Sequence, residues 1–536
     1  MSTKYVTQHD DGSLERTAEG EEYLAGVVTN TTGNVYSFYD SLDPTVVAAA
    51  MARLSRFGGG MRELLLKEFA GQTGQEAALL RRVLTQFGDD SVAQLGYVPV
   101  VVENASNLLT KQIEWGRLAA YLEQSTRYIY YDQKRDGQYP YFTPPQLSAE
   151  LQRTYRTAMD AIFDNYSLVV RKMSEWYQAQ DATPEAERDV AWRIAMRGKA
   201  CDAARGLLPA ATTSTVGIVG SAQAIDNLIL HLLAQDLPEA VAVGREILAE
   251  VRKQHAIFFE RTDLPDRGAA IVAYQQQTTR RVAALARQLD AKEVAPVAAG
   301  VTLLDYSPKD ELELLTHMLY SHSNLGFAEL QQQIATWSSA QQIAAFELYM
   351  GERSNRRHKP GRALEVARYT FEVVSDYGAF RDLQRHRMVD AIEWQQLGEG
   401  LGYDIPEEIH AAGLEETYRH THELSKNLHA ALLKDGLVAE AQYATLFDER
   451  LRWKLTLNAR AAFHFIELRT QPAGHSNYRR IANAMYDEIA KVHPHLAKAM
   501  VFVNRDADDP STSRLEQARR AAAKLKALGL EGLIEE

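Results

Sequence analysis

The chain has 536 residues, 46% hydrophobic and 24% charged, with a formal net charge of -12 and a single cysteine, Cys201. That length exceeds one compact domain, the acidic balance argues against a broad nucleic-acid footprint, and one cysteine excludes an internal disulfide. No run of 18 apolar residues occurs and the N-terminus is polar, so the expectation is no membrane span and a cytoplasmic setting.

Residues 1–34 read as a flexible, acidic lead. Helical periodicity begins at "SLDPTVVAAAM", with Ser41 or Asp43 as a cap and Pro44 in the first turn. "RFGGG" is a loop, "EAALLRRVLTQFG" an amphipathic helix and "YVPVVVENAS" a short strand. "WGRLAAYLEQSTRYIYYD" reads as a helix running into an extended segment. Residues 148–180 are helical, "YQAQDATPEAERD" breaks the pattern, and helices resume at "VAWRIAMRGKACDAARGLLP", "SAQAIDNLILHLLAQ" and "PEAVAVGREILAEVRKQHAIFF". Residues 288–300, with a proline and small residues, form a linker. "VTLLDYSPKDELELLTHMLY" is a strand, turn and helix. "RSNRRHKPGR" (353–362) is a basic, solvated loop or the lining of a ligand entrance. "RYTFEVVSDYGAF" alternates as a strand and runs into Arg385, His386 and Arg387. Residues 506–536 form a charged helical tail, expected at the periphery.

A weak internal repeat runs through the chain. Trp115 set against Arg385 gives an offset of 270, and His231 against His464 gives 233, so the first copy carries extra residues, placed between 130 and 192. The domains expected are therefore a first copy at 35–287 and a second at 301–505.

The basic triplet Arg385-His386-Arg387 followed by Glu393, with Asn458, Arg460, His464, Phe465, Leu468 and Arg469 in "NARAAFHFIELR", resembles the flavin-dependent thymidylate synthases. That family carries R-H-R-x7-S, extended to E-x-S-x-R-Y, and N-x-R-x-x-x-H-F-x-x-L-R. In the second copy Gln395 stands at the family's serine, and Leu397 and Gly398 at its R-Y. The first copy shows the reverse. Glu123, Ser125, Arg127 and Tyr128 match E-x-S-x-R-Y, while Trp115, Gly116 and Arg117 replace the basic triplet. Gln112 stands three before the triplet, as the family's glutamine does, and Arg205 and Pro209 match its A-R-x-x-L-P.

The resemblance implies an α+β fold of two similar domains, each a small, mostly antiparallel sheet packed with several helices. It implies FAD as cofactor, NADPH and methylenetetrahydrofolate as co-substrates, and reductive methylation at C5 of dUMP without an enzyme cysteine. It also implies a site shared between copies. Ser125 and Arg127 are assigned to catalysis, and Arg385, His386, Arg387, Asn458 and Arg460 to the cofactor. Gln112, Glu123, Ser125, Arg127, Arg205 and Arg479 are assigned to the substrate. The family's sites lie between subunits of a homotetramer, so a tandem chain is expected to form a pseudo-tetramer as a homodimer.

Arginine suits such ligands because its planar fork meets phosphate oxygens two at a time and stays charged. The triplet at a strand–helix junction is expected to sit where backbone N–H groups also face an anion. The residues alone leave other readings open: a solvated basic helix start, a core or interface role for His464, and a structural Cys201. The sequence has no C-x-x-C, H-E-x-x-H or P-loop pattern, so no metal is assigned. Two rival functions stay open. One is a flavin-dependent enzyme acting at C5 of another uracil nucleotide. The other is a non-catalytic nucleotide-binding paralogue.

Overall fold

The computed structural model describes residues 4–10, 14–71, 92–289, 295–505 and 510–529. The amphipathic helix expected at "EAALLRRVLTQFG" and the middle of the 288–300 linker lie outside them. Among the described residues the chain is α+β, with helices around small antiparallel sheets. No described helix is long and apolar enough to cross a membrane.

The expected flexible lead carries ordered elements. Strands β1 (Val6–Gln8) and β2 (Leu14–Arg16) pair antiparallel, and α1 (Ala18–Val27) follows, capped by Thr17, whose hydroxyl accepts from Gly20 N. Helix α2 (Pro44–Leu54) begins as expected, with the Asp43 carboxylate accepting from Thr45 N at 2.6 Å and Pro44 in the first turn.

A three-stranded sheet has β5 (Thr213–Ser221) between β3 (Tyr97–Ser106) and β4 (Ala119–Glu123). Strand β4 is a correction: "LAAYLE" reads as helix by propensity, yet Ala119–Glu123 pair antiparallel with Gly220–Val216. A long-range ladder overrides a weak local preference. The second sheet runs in the order β6 (Gly300–Ser307), β7 (Arg368–Asp376), β9 (Arg450–Asn458), β8 (Ala391–Trp394), all antiparallel. Its inner face buries Tyr369, Phe371, Val373, Leu455 and Leu457.

The repeat is visible in backbone geometry. Asn107 N and Leu108 N donate to the carbonyls of Thr212 and Ala210 at 2.9 and 3.1 Å. Tyr377 N and Gly378 N donate to those of Glu449 and Phe447 at 3.0 and 2.7 Å. Each sheet's β5 or β9 ends in a helix cap of the same kind. Ser221 opens α3 (Ala222–Leu233) and Asn458 opens α4 (Ala459–Arg469), each side chain accepting from the third residue on. This equivalence corrects one pairing: His231 then matches Leu468, one helical turn beyond His464. A helix repeats its apolar pattern nearly every four residues, so sequence comparison slips by one turn easily.

The chain divides into two compact units. One comprises Met1–Glu103, Gln112–Glu123 and Thr215–Ala291. The other comprises Asn104–Lys111, Gln124–Ser214 and Lys292–Glu536, and so holds the middle of the first copy together with the second copy. Inside this larger unit the copies meet directly. Pro209 and Leu446 form a bridge, flanked by Ala210 N to Thr445 O at 2.8 Å and Phe447 N to Leu208 O at 2.9 Å. Two long helices, Ala149–Gln180 and Glu415–Lys434, also touch, with Asn165 Nδ2 donating to Thr421 Oγ1 at 3.0 Å. The expected peripheral tail is partly packed: in the helix Pro510–Ala527, Leu515 rests on Trp192, Ala195 and Met196.

Candidate functional site

The basic triplet lies elsewhere than its sequence context suggests. Strand β7 ends at Asp376, whose carboxylate accepts from Ala379 N at 2.7 Å and starts a helix, Tyr377–Gln384, with no loop between. Arg385 caps the far end of that helix. The triplet thus sits at a helix C-terminus, where positive charge complements the dipole. The backbone N–H groups expected to face an anion there are not available, and side chains must hold any anion.

Those side chains converge from both copies within the larger unit. Arg127 makes a paired fork with Asp202, at 2.9 Å on both nitrogens, and donates to Tyr478 Oη and Ala473 O at 3.2 Å each. Arg205 Nη1 donates to Asp382 Oδ2 at 3.1 Å, and Arg385 Nη2 to Asp382 Oδ1. Arg469 donates from Nε to His386 Nε2 at 2.6 Å and from Nη2 to the Asp382 carbonyl. The guanidiniums of Arg469 and Arg127 lie 5.3 and 5.7 Å from the Tyr478 ring centroid. Burial alone would raise the Asp382 pKa, but Arg205, Arg385, Arg469 and Arg127 hold it well below the usual carboxylate range.

The histidines report the same field. His386 accepts from Arg469 at Nε2, so it is neutral with its proton on Nδ1. Burial first, then Arg469, His464 and Arg385, push its pKa well down. His464 is lowered by burial and then by Lys359, Arg356 and Arg469.

The other expected residues are placed as follows. Ser125 Oγ accepts from Arg127 N at 3.2 Å, bracing the turn that presents Arg127. Arg387 is exposed. Arg460 donates to Pro360 O at 2.9 Å and pairs with Glu365 at 3.3 Å. Asn458 Oδ1 is engaged as a helix cap, accepting from Ala461 N at 2.9 Å. Replacing Asn458 by alanine is expected to cost about 1 kcal/mol of stability, measured by urea unfolding, with Asn458→Asp nearly neutral. Arg479 is buried and ties Thr470 O to Asn504 Oδ1 at 3.1 and 2.9 Å. Gln112 and Glu123 belong to the other compact unit. There Gln112 Oε1 lies 3.3 Å from Nε2 of His231, whose ring stacks on Trp115 at 4.1 Å. In the 353–362 loop Arg353 turns inward, forked onto buried Glu467 at 2.6 Å.

Sequence reasoning missed Asp202, Asp382 and Tyr478, and named Arg469 only as part of a pattern. It also missed a cleft of about 480 Å³ beside the cluster, lined by Asp202, Arg205, Asp376, Tyr418, Asp448 and His475 among others. Behind its wall, His422 is held between Asp448 and Glu449, at 3.0 Å each, and stacks on Tyr403. Among the described residues no group of three or more His, Cys, Asp or Glu is arranged to hold a metal ion.

Comparison with known proteins adds an independent line. A family model described as thymidylate synthase complementing protein matches residues 38–255 and 302–495. A UPF0159 protein of Chlamydia pneumoniae is 32% identical over 525 residues, spanning 94% of this chain and 98% of that protein. A UPF0159 protein of Thermoplasma acidophilum is 30% identical over 502 residues, spanning 89% of this chain and 98% of that protein. Among solved structures, a UMP/dUMP methylase PolB from Streptomyces cacaoi, bound with 5-Br dUMP, aligns at 19% identity and a TM-score of 0.33. That alignment covers 40% of this chain and 100% of the other.

Proposed function

The chain belongs to the thymidylate synthase complementing protein family, matched once in each half, and from that premise we propose a flavin-dependent enzyme that methylates C5 of a uracil nucleotide, with dUMP as first choice. The observation that carries this reading is the guanidinium cluster drawn from both copies. Arg127 and Arg205 come from the first, Arg385 and Arg469 from the second; Arg127 pairs with Asp202, and Arg205 and Arg385 share Asp382. Four guanidiniums gathered in one place suit a phosphate monoester, which carries about -1.5 to -2 near neutral pH.

The residues also fit FAD on charge. Arg385 and Arg387 are accessible, and the depressed His386 and His464 mark a positive field that a diphosphate would balance. Arg385, His386 and Arg387 would hold that diphosphate, with Asn458 and Arg460 nearby in the assignment. Bound FAD would supply hydride chemistry, with methylenetetrahydrofolate as carbon donor and NADPH as reductant. The chain's own part is to bind and orient. Arg127, braced by Ser125, and Arg205 fix the nucleotide phosphate. Neutral His386 orients Arg469 and carries no labile charge into the site. We assign the protein to the cytoplasm and to a homodimer.

Purified protein is expected to be yellow, or to take up added FAD with a flavin absorption band. Reduced flavin should then be oxidised only when both dUMP and methylenetetrahydrofolate are present. UMP in place of dUMP tests the rival substrate. Colourless protein that takes up no FAD would overturn the enzyme reading and leave the non-catalytic one.

A further inference from the structure

Asp382 occupies the centre of the arginine cluster in a way that a structural carboxylate does not require. Its two side-chain oxygens accept from Arg205 of the first copy and Arg385 of the second, while its carbonyl accepts from Arg469. The side chains of Arg205 and Arg127 are largely enclosed, 4% and 11% exposed. Arg205 Nη2 is buried and has no hydrogen-bond partner. A carboxylate has two oxygens, and both are taken. A phosphate brings three terminal oxygens and can reach one donor more. The first-copy counterpart of Asp382 is Gln112, which the family resemblance marks as the usual residue, so the acid belongs to this half alone.

We propose that Asp382 is an internal stand-in for the ligand's phosphate, holding the guanidiniums together without a nucleotide and yielding its place when the phosphate binds. The inference rests on the anion-binding part of the proposed function and not on the methyl transfer. Without some anion, buried guanidiniums repel one another and lack acceptors, which is costly. Asp382 meets that need with a short side chain on the last turn of the helix Tyr377–Gln384. One χ1 rotation there would remove the carboxylate and free Arg205 and Arg385 for the ligand, while Arg127 keeps its anchors on Asp202 and Tyr478 and Arg469 its anchor on His386. Ligand binding is thus an exchange of one anion for another. It reduces the affinity for free phosphate and favours a ligand that brings further contacts.

The test uses Asp382→Asn and inorganic phosphate as the probe, in the full chain at low ionic strength. Thermal unfolding of Asp382→Asn is expected to be strongly phosphate-dependent, with a midpoint gain from millimolar phosphate about 3 °C or more above the wild-type gain. Phosphate affinity should rise about tenfold over wild type. Asp382→Glu, which keeps the charge, should behave as wild type. If Asp382→Asn is insoluble in chloride buffer, recovery in phosphate buffer supports the proposal, and insolubility in both overturns it. Equal phosphate responses of wild type and Asp382→Asn also overturn it. A phosphate-rescued variant in a protein inactive on dUMP would leave this inference standing and remove the proposed reaction. An active protein without that rescue would do the reverse.

Discussion

Mixing chains that carry Arg127→Ala with chains that carry Arg469→Ala is expected to restore no methylation of dUMP. Each variant alone should lose about a hundredfold or more in nucleotide binding, since two charge-assisted hydrogen bonds contribute roughly 1.5–3 kcal/mol each. The argument for failed complementation is geometric. Both guanidiniums flank the Tyr478 ring within one compact unit of one chain, although Arg127 comes from the first copy and Arg469 from the second. A site built in cis cannot be repaired by a neighbour that supplies only the missing half. Arg127→Ala also removes the guanidinium fork from the Asp202 carboxylate, 18% exposed, so a loss of fold must be separated from a loss of site. The double variant Arg127→Gln with Asp202→Asn removes both charges and is expected to fold yet remain unable to bind dUMP. Recovery of about a quarter of the wild-type activity on 1:1 mixing, from hybrid dimers with one intact site, would show that the working site is assembled between chains.

The parts of this site that sequence made legible are those with local signals. Asp43 before Pro44, the long amphipathic run after Ser148 and the alternation in β7 each state their structure within a few residues. The complementary loss of motif halves pointed to a shared site because Ser125–Arg127 and Arg385–Arg387 are each contiguous. The misreadings arose where periodicities overlap. "FEVVSDYGAFRDLQ" passes from period two to period 3.6 at Asp376 with no turn residue between, so the strand appeared to reach the triplet. Asp382 and Asp202 were invisible for a different reason. Their distant partners, Arg205 and Arg127, lie 177 and 75 residues away, and the one local pair, Asp382 with Arg385 three residues on, looks like any surface i,i+3 pair. The N-cap role of Asn458 was legible in principle, since it stands directly before a helical run.

His422→Gln is expected to cost about 3–5 kcal/mol of stability at pH 5 and clearly less at pH 8. Burial would lower the His422 pKa, but Asp448 and Glu449 overcome that and hold it up at about 9. A group raised from 6.5 in the unfolded chain contributes its full stabilisation below pH 6.5 and loses it as the pH rises through 9. That contribution is about 3 kcal/mol. Glu399, raised by burial and by Glu449 to about 8, acts in the same direction, losing stability as the pH climbs through that value. The acid side is set by the opposite case. His475, lowered by burial and by Arg205 to about 3, and His386, pushed well down, favour the folded state only while neutral, so their contribution fades as the pH falls below 6.5. Wild-type stability should therefore peak near pH 6.5 and fall toward pH 9. In the variant, Asp448 and Glu449 lose their cation. That leaves buried carboxylates unbalanced and adds to the cost. By pH 8 the wild-type imidazolium has already given up part of its stabilisation, so less is lost on replacing it. Urea unfolding of both proteins at the two pH values decides the matter: an equal cost at pH 5 and pH 8 would mean that His422 serves by its shape and its stack on Tyr403, not by its charge.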